Sequence, residues 1–141
     1  MPMIQLIIGE KGKGKTKILL DKVNEAAKNA KGNLVFVDKD SSHMFELKNS
    51  IRLVNASEYS VASAEEFTGF VSGIISADHD LEQLFLDGYM ILASAESHNM
   101  EDSLLKIDEV SSRFNVTVTI SISVTKDELP EQLKDKVIVS L

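Results

Sequence analysis

The chain has 141 residues, enough for a single domain that buries about two-thirds of the surface its unfolded form exposes. It has no cysteine, which excludes a disulfide framework and any thiolate metal centre, and no apolar run approaches the roughly 20 residues of a membrane span. Its 22 acidic residues against 15 basic ones give a net charge of −7, which argues against nucleic acid as a partner, since that needs a basic face.

In chain order, Met3-Ile4-Gln5-Leu6-Ile7-Ile8 is apolar and β-branched and reads as a buried strand. No basic segment precedes it, so no secretory leader is expected, and the lack of cysteine fits a cytoplasmic location. Next comes Gly9-Glu10-Lys11-Gly12-Lys13-Gly14-Lys15-Thr16, of the form G-x-x-x-x-G-K-[ST], the phosphate-binding Walker A pattern. Glycines let successive backbone N–H groups turn inward toward a phosphate, and the helix that follows adds free amides and the positive end of its dipole. Lys15 is expected to reach the β- and γ-phosphates and Thr16 to offer its hydroxyl to Mg²⁺. The candidate nucleotide-binding residues are thus Gly9, Glu10, Lys11, Gly12, Lys13, Gly14, Lys15, Thr16 and Lys17. Only Lys15 occupies the lysine position of the pattern. Lys11 and Lys13 either raise the local potential toward a polyphosphate or are solvated loop residues.

Ile18, Leu19, Val23, Ala26, Ala27 and Ala30 then predict an amphipathic helix, with Gly32 as its left-handed cap. Leu34-Val35-Phe36-Val37 is a second buried strand. Ser41 or Ser42 is placed to cap a short helix through Leu47, and Ile51-Arg52-Leu53-Val54 reads as a short extra strand. Ser63-Ala64-Glu65-Glu66 has the form of a capping box, and Phe67, Phe70, Val71, Ile74 and Ile75 mark the helix behind it. Gly69 and Gly73, four apart on that helix, suggest close packing on the sheet. After Asp78-His79-Asp80 comes the strand Gln83-Leu84-Phe85-Leu86-Asp87, then residues 89–98, which fit either a strand extension or a helix entry. Asn99 is placed as the N-cap of a third helix, marked by Leu104, Ile107, Val110 and Phe114 and running to about Arg113. Val116 to Val124 alternates strictly with Thr117, Thr119, Ser121 and Ser123, a strand pattern. A parallel strand in mid-sheet is usually apolar on both faces, so this one is expected near an edge or with its hydroxyl face against a helix. One helical turn after Pro130 and a last strand, Val137-Ile138-Val139, complete the chain. The reading is one domain over residues 1–141: a three-layer α/β/α fold with a mostly parallel sheet of five or six strands.

A second constellation supports the first. Leu84-Phe85-Leu86-Asp87 has the form of a Walker B strand, whose terminal acid holds Mg²⁺, so Thr16 and Asp87 are the candidate metal ligands. The competing reading of Asp87-Gly88 is a turn. Gly88 stands where many P-loop ATPases have a catalytic glutamate. Phe36-Val37-Asp38-Lys39-Asp40 resembles the stretch just beyond the second strand in which RecA-type ATPases carry their acid, and that resemblance implies Asp40 as the candidate catalytic base beside Lys15, with a turn or cap role as its alternative; Glu96 is a further candidate acid. Ser121 and Ser123 are either γ-phosphate sensors or small residues under a helix. His43, His79 and His98 are far apart in sequence and show no metal-ligand spacing.

On Gly9–Thr16 and Leu84–Asp87 the chain resembles the P-loop NTPase superfamily, and through Phe36-Val37-Asp38-Lys39-Asp40 its RecA-like branch. More narrowly, Ile8-Gly9-Glu10-Lys11-Gly12-Lys13-Gly14-Lys15-Thr16 and Leu86-Asp87-Gly88 are similar to small single-domain bacterial P-loop proteins of the Firmicutes type, often labelled twitching-motility ATPases. Pilus-retraction motors are larger and carry His and Asp boxes, so motor activity is not implied. The resemblance implies binding of ATP or GTP with Mg²⁺ and slow hydrolysis, ATP being favoured because no guanine-reading Asn/Thr-Lys-x-Asp stretch occurs. The alternatives are a nucleotide-dependent interaction module, completed by a protein partner or a homo-oligomer through Arg52 or Arg113, and a small kinase.

Overall fold

A computed structural model describes residues 4–93 and 97–141. Six strands, β1 (Ile4–Ile8), β2 (Asn33–Asp38), β3 (Ile51–Asn55), β4 (Leu81–Leu86), β5 (Thr117–Ile122) and β6 (Val137–Ser140), form one sheet in the order β3-β2-β4-β5-β1-β6. Every neighbouring pair is parallel. The helices are α1 (Lys15–Ala27), α2 (Ala64–Ala77), the single turn α3 (Tyr89–Leu92) and α4 (Ser97–Phe114).

Strand periodicity sorts the core into two layers. Leu6 and Ile8, Val35 and Val37, Leu84 and Leu86, and Val118 and Ile120 point toward Phe67, Val71 and Ile75 of α2 and Leu104 and Ile107 of α4. The intervening Ile7, Leu34, Phe36 and Phe85 meet Leu19, Leu20 and Val23 of α1. Helices therefore cover both faces of a parallel sheet, as the continuous apolar runs of β1, β2 and β4 require. The alternating strand β5 lies between β4 and β1, not near an edge. Thr119 and Ser121 are both 1% exposed on the α1 face, so the hydroxyl side is the one packed under a helix.

Several local expectations need correction. The segment 41–47 has only a 3₁₀ turn, Met44–Glu46, with no side-chain cap. Ser63 does accept the Glu66 amide at 3.1 Å, but the Glu66 carboxylate reaches the amide of Ala62 at 2.8 Å instead of that of Ser63, so the box is not reciprocal. Helix α4 starts at Ser97, two residues before Asn99, while Glu96 lies outside the described residues. Gly69 and Gly73 are exposed, and a Cβ at either would meet nothing, so they do not serve close packing on the sheet.

Gly32 does not cap α1, which ends at Ala27, and it is not among the residues of positive φ. It is small because the chain entering β2 crosses the turn before β4: an added Cβ would lie 2.4 Å from the Asp80 carbonyl oxygen. Backbone must move to admit it. Gly32→Ala is expected to lower stability by about 2 kcal/mol or more, read as a fall in the urea midpoint at unchanged slope.

Candidate functional site

Because all strands run the same way, their C-terminal ends share one edge of the sheet, the edge at which α1 begins. Period two then decides which side chains meet there. Phe36 and Phe85 face α1, so Asp38 and Asp87, two residues further along, face it too, as does Ser121, whose register partner Ile7 packs on that helix. The β2–β4 register pairs Val37 with Leu86, and the Asp87 amide continues it by donating to the Val37 carbonyl at 3.0 Å. The next pair along is Asp38 beside Asp87.

The chain leaves β1 through a loop in which Gly12 (φ 86°) and Gly14 (φ 97°) are left-handed, a conformation that costs glycine little and most residues about 1 kcal/mol or more. Gly14 precedes the first turn of α1. It offers no side-chain cap, and no acid lies in that turn, so the free amides and dipole of the helix face the loop uncompensated. Lys15, only 8% exposed, folds back to donate to the Glu10 carbonyl at 3.0 Å. Burial pulls its pKa below the usual lysine value, an effect the Asp87 charge partly offsets.

Thr16 Oγ1 donates toward the Asp87 carboxylate, 3.0 Å from Oδ2 and 3.2 Å from Oδ1. Ser121 Oγ donates to Asp87 Oδ1 at 2.7 Å and accepts the Gly88 amide at 2.7 Å. Helix α1, β4 and β5 are thereby joined through one carboxylate that is 5% exposed. A cavity of about 400 Å³ lies between the loop residues Lys11, Gly12, Gly14 and Lys15 on one side and Asp87, Gly88 and Ser121 on the other, with Lys39 and Ser123 also lining it. That volume is in the range of small-molecule sites.

The fold thus gathers Lys11, Gly12, Gly14, Lys15, Thr16, Asp87, Ser121 and Ser123 around one hollow. Gly9 is buried under Leu141, and Glu10 and Lys13 point to solvent. Lys17 pairs with Asp21 at 3.5 Å along the exposed face of α1. Asp40 is not brought into the cavity: it sits in a local turn where hydrogen bonds from the Ser42 hydroxyl and, at 2.9 Å, the Ser42 amide hold its carboxyl below the usual range. Arg52 lies on β3, and Arg113 pairs with Glu109 at 3.0 Å near the end of α4; neither lines the cavity.

Two site residues escape the sequence reading. Asp38 is fully buried, accepting the Lys39 amide at 2.8 Å and bonding His43 Nδ1 at 2.6 Å. His43 thus has acidic neighbours that its spacing from the other histidines hides. The available signal was the two-residue period of any strand, which puts Asp38 on the same face as Phe36. The Asp38 hydrogen bond raises the His43 pKa. A raised histidine pKa adds stability below its unfolded value near 6.5, and that stability is lost as pH rises through the folded value. The urea midpoint of wild type relative to His43→Gln is therefore expected to fall between pH 5.5 and pH 8.5; a constant difference would contradict the pairing.

Among the described residues, no helix is long and apolar enough to cross a membrane. No protein-family model matches the chain, and no curated protein matches its sequence.

Proposed function

We propose that this chain binds a nucleoside triphosphate with Mg²⁺, ATP in preference to GTP, in the manner of a P-loop protein, and turns it over slowly. The observation that carries this reading is the convergence of an uncapped, acid-free helix N-terminus, the buried Lys15 ammonium and the Thr16–Asp87 pair on one cavity. The loop amides and Lys15 hold the β- and γ-phosphates. Thr16 and Asp87 supply a hydroxyl and a carboxylate, hard oxygen donors that suit Mg²⁺. Bound there, the ion neutralises charge across the phosphates. Ser121 orients the Asp87 carboxylate and holds the Gly88 amide in place.

Slow turnover follows from what surrounds this cradle. Gly88 supplies no acid after Asp87, and Asp40 is engaged in its own turn. The cations that line the cavity are lysines, Lys11, Lys15 and Lys39; with both arginines away from it, an arginine acting on the γ-phosphate has to come from a partner or a second copy. The same observations favour a second reading, a nucleotide-dependent interaction module with no efficient catalysis.

Calorimetric titration of the wild type with Mg-ATP and Mg-GTP, alongside phosphate release, tests the proposal. Failure to bind either nucleotide ends it. Binding without release selects the interaction module, and transfer seen only when an acceptor is added selects a kinase. Asp40→Asn is expected to leave any phosphate release unchanged; its abolition would restore Asp40 as the base.

A further inference from the structure

We propose that Asp38, His43 and Asp87 bind one divalent cation of the Mn²⁺, Co²⁺ or Zn²⁺ class, with no nucleotide present. Each of the three offers a ligand atom, and these atoms lie within 4.8 Å of one another, the one such group among the described residues. A shared ion about 2.0–2.2 Å from each ligand holds its ligands no more than about 4.4 Å apart, so a small side-chain rotation closes the set.

The charge balance points the same way. Asp38 is fully buried and Asp87 nearly so, and the β2–β4 register holds them side by side. Among the described residues neither forms an ion pair with a lysine or arginine. The Lys15 ammonium donates to the Glu10 carbonyl, and Asp87 is held by neutral hydroxyls. Two buried carboxylates this close are costly unless positive charge lies between them. The His43 imidazole bonds Asp38 but not Asp87, and its other nitrogen lies 4.0 Å from Glu46. Its side chain, 22% exposed, forms the solvent side of the cluster and gives an ion a way in.

The donor set selects the ion. Mg²⁺ prefers an all-oxygen octahedron, whereas one imidazole nitrogen with carboxylate oxygens suits Mn²⁺, Co²⁺ and Zn²⁺. The site shares Asp87 with the proposed nucleotide pocket, but its argument does not rest on nucleotide binding.

The test uses the full chain, stripped with a chelator, and metal alone. Mn²⁺ binding is followed by loss of the free-ion paramagnetic resonance signal and Co²⁺ binding by its visible absorption. Wild type is expected to take up one ion per chain and to keep it against about tenfold excess Mg²⁺. His43→Ala and Asp38→Asn are expected to weaken binding about tenfold or more, while His79→Ala, in the separate Asp78-His79-Asp80 turn, binds as wild type does. Far-UV circular dichroism reports folding, and His43→Gln replaces His43→Ala if the alanine variant is unfolded. No uptake by wild type, unchanged affinity in the folded His43 variant, loss in His79→Ala, or equal competition by Mg²⁺ overturns the proposal. Since no nucleotide is added, a negative result here leaves the nucleotide reading standing, and a failed ATP titration leaves this one standing.

Discussion

Lys15→Ala is expected to weaken Mg-ATP binding at least about 100-fold, about 2.8 kcal/mol, while its thermal midpoint stays level or rises. The two effects separate because the ammonium is poorly supported without a ligand. It is 8% exposed, it donates to the Glu10 carbonyl, and among the described residues it forms no ion pair. A lysine whose pKa is lowered by burial costs stability wherever it is charged. Removing it relieves that cost and leaves the exposed Glu10 to water. A bound triphosphate, by contrast, would lose the one buried lysine among the described residues. Calorimetry and differential scanning on the same preparation read both quantities. Retained affinity would detach Lys15 from ligand binding, and a large fall in midpoint would recast it as structural.

Asp87→Asn is expected to abolish the Mg²⁺ dependence of ATP binding while leaving the fold intact. Wild type is expected to bind ATP more tightly with Mg²⁺ than with chelator; in the variant the two affinities are expected to agree within about threefold, since amide oxygens are far weaker Mg²⁺ ligands than carboxylates. The amide keeps an oxygen to accept from Ser121 and Thr16. It also removes one of two neighbouring buried carboxylates, so stability is not expected to drop. Thr16→Ala is expected to blunt the same Mg²⁺ dependence from the other side of the cavity. A variant that still responds to Mg²⁺ as wild type does would place the ion elsewhere.

The sheet and its helices were legible because their sequence signals are local and redundant. β1, β2 and β4 are continuous apolar runs, and α2 repeats its apolar residues at helical spacing. Gly12, Gly14, Lys15 and Thr16 were legible as neighbours because they fall within five residues of the chain. Legibility ended where position depends on register. Whether the hydroxyls of β5 faced solvent, an edge or a helix could not be read without knowing that β5 sits between β4 and β1. Ser121 meets Asp87 for that reason alone. The same holds for Asp38. The sequence points to Asp40 by its distance from the end of a strand, but the end of β2 at Asp38 and the turn closed by Ser42 set Asp40 aside and put Asp38 next to Asp87. Gly32 misleads differently: its position after a helical pattern imitates a cap, while its real constraint, the Asp80 carbonyl, lies on a segment far along the chain.

The strand order also sets a timetable for assembly. β2, β3 and β4 follow one another in the chain and pair with one another, so with α2 they can fold as soon as they are made. β1 is made first, yet it pairs only with β5 and β6: Gln5 and its partner Thr119 are 114 residues apart. At a synthesis rate of roughly 5–20 residues per second, β1 waits on the order of 6–23 seconds for its neighbour. During that interval Ile4–Ile8 is an unpaired apolar strand, a target for chaperones and for aggregation. The glycine loop, hung from β1, takes its place against Asp87 only when β5 slots between β1 and β4. A newly made chain therefore forms the cavity between the loop and Asp87 late, only once its sheet is closed across its whole width.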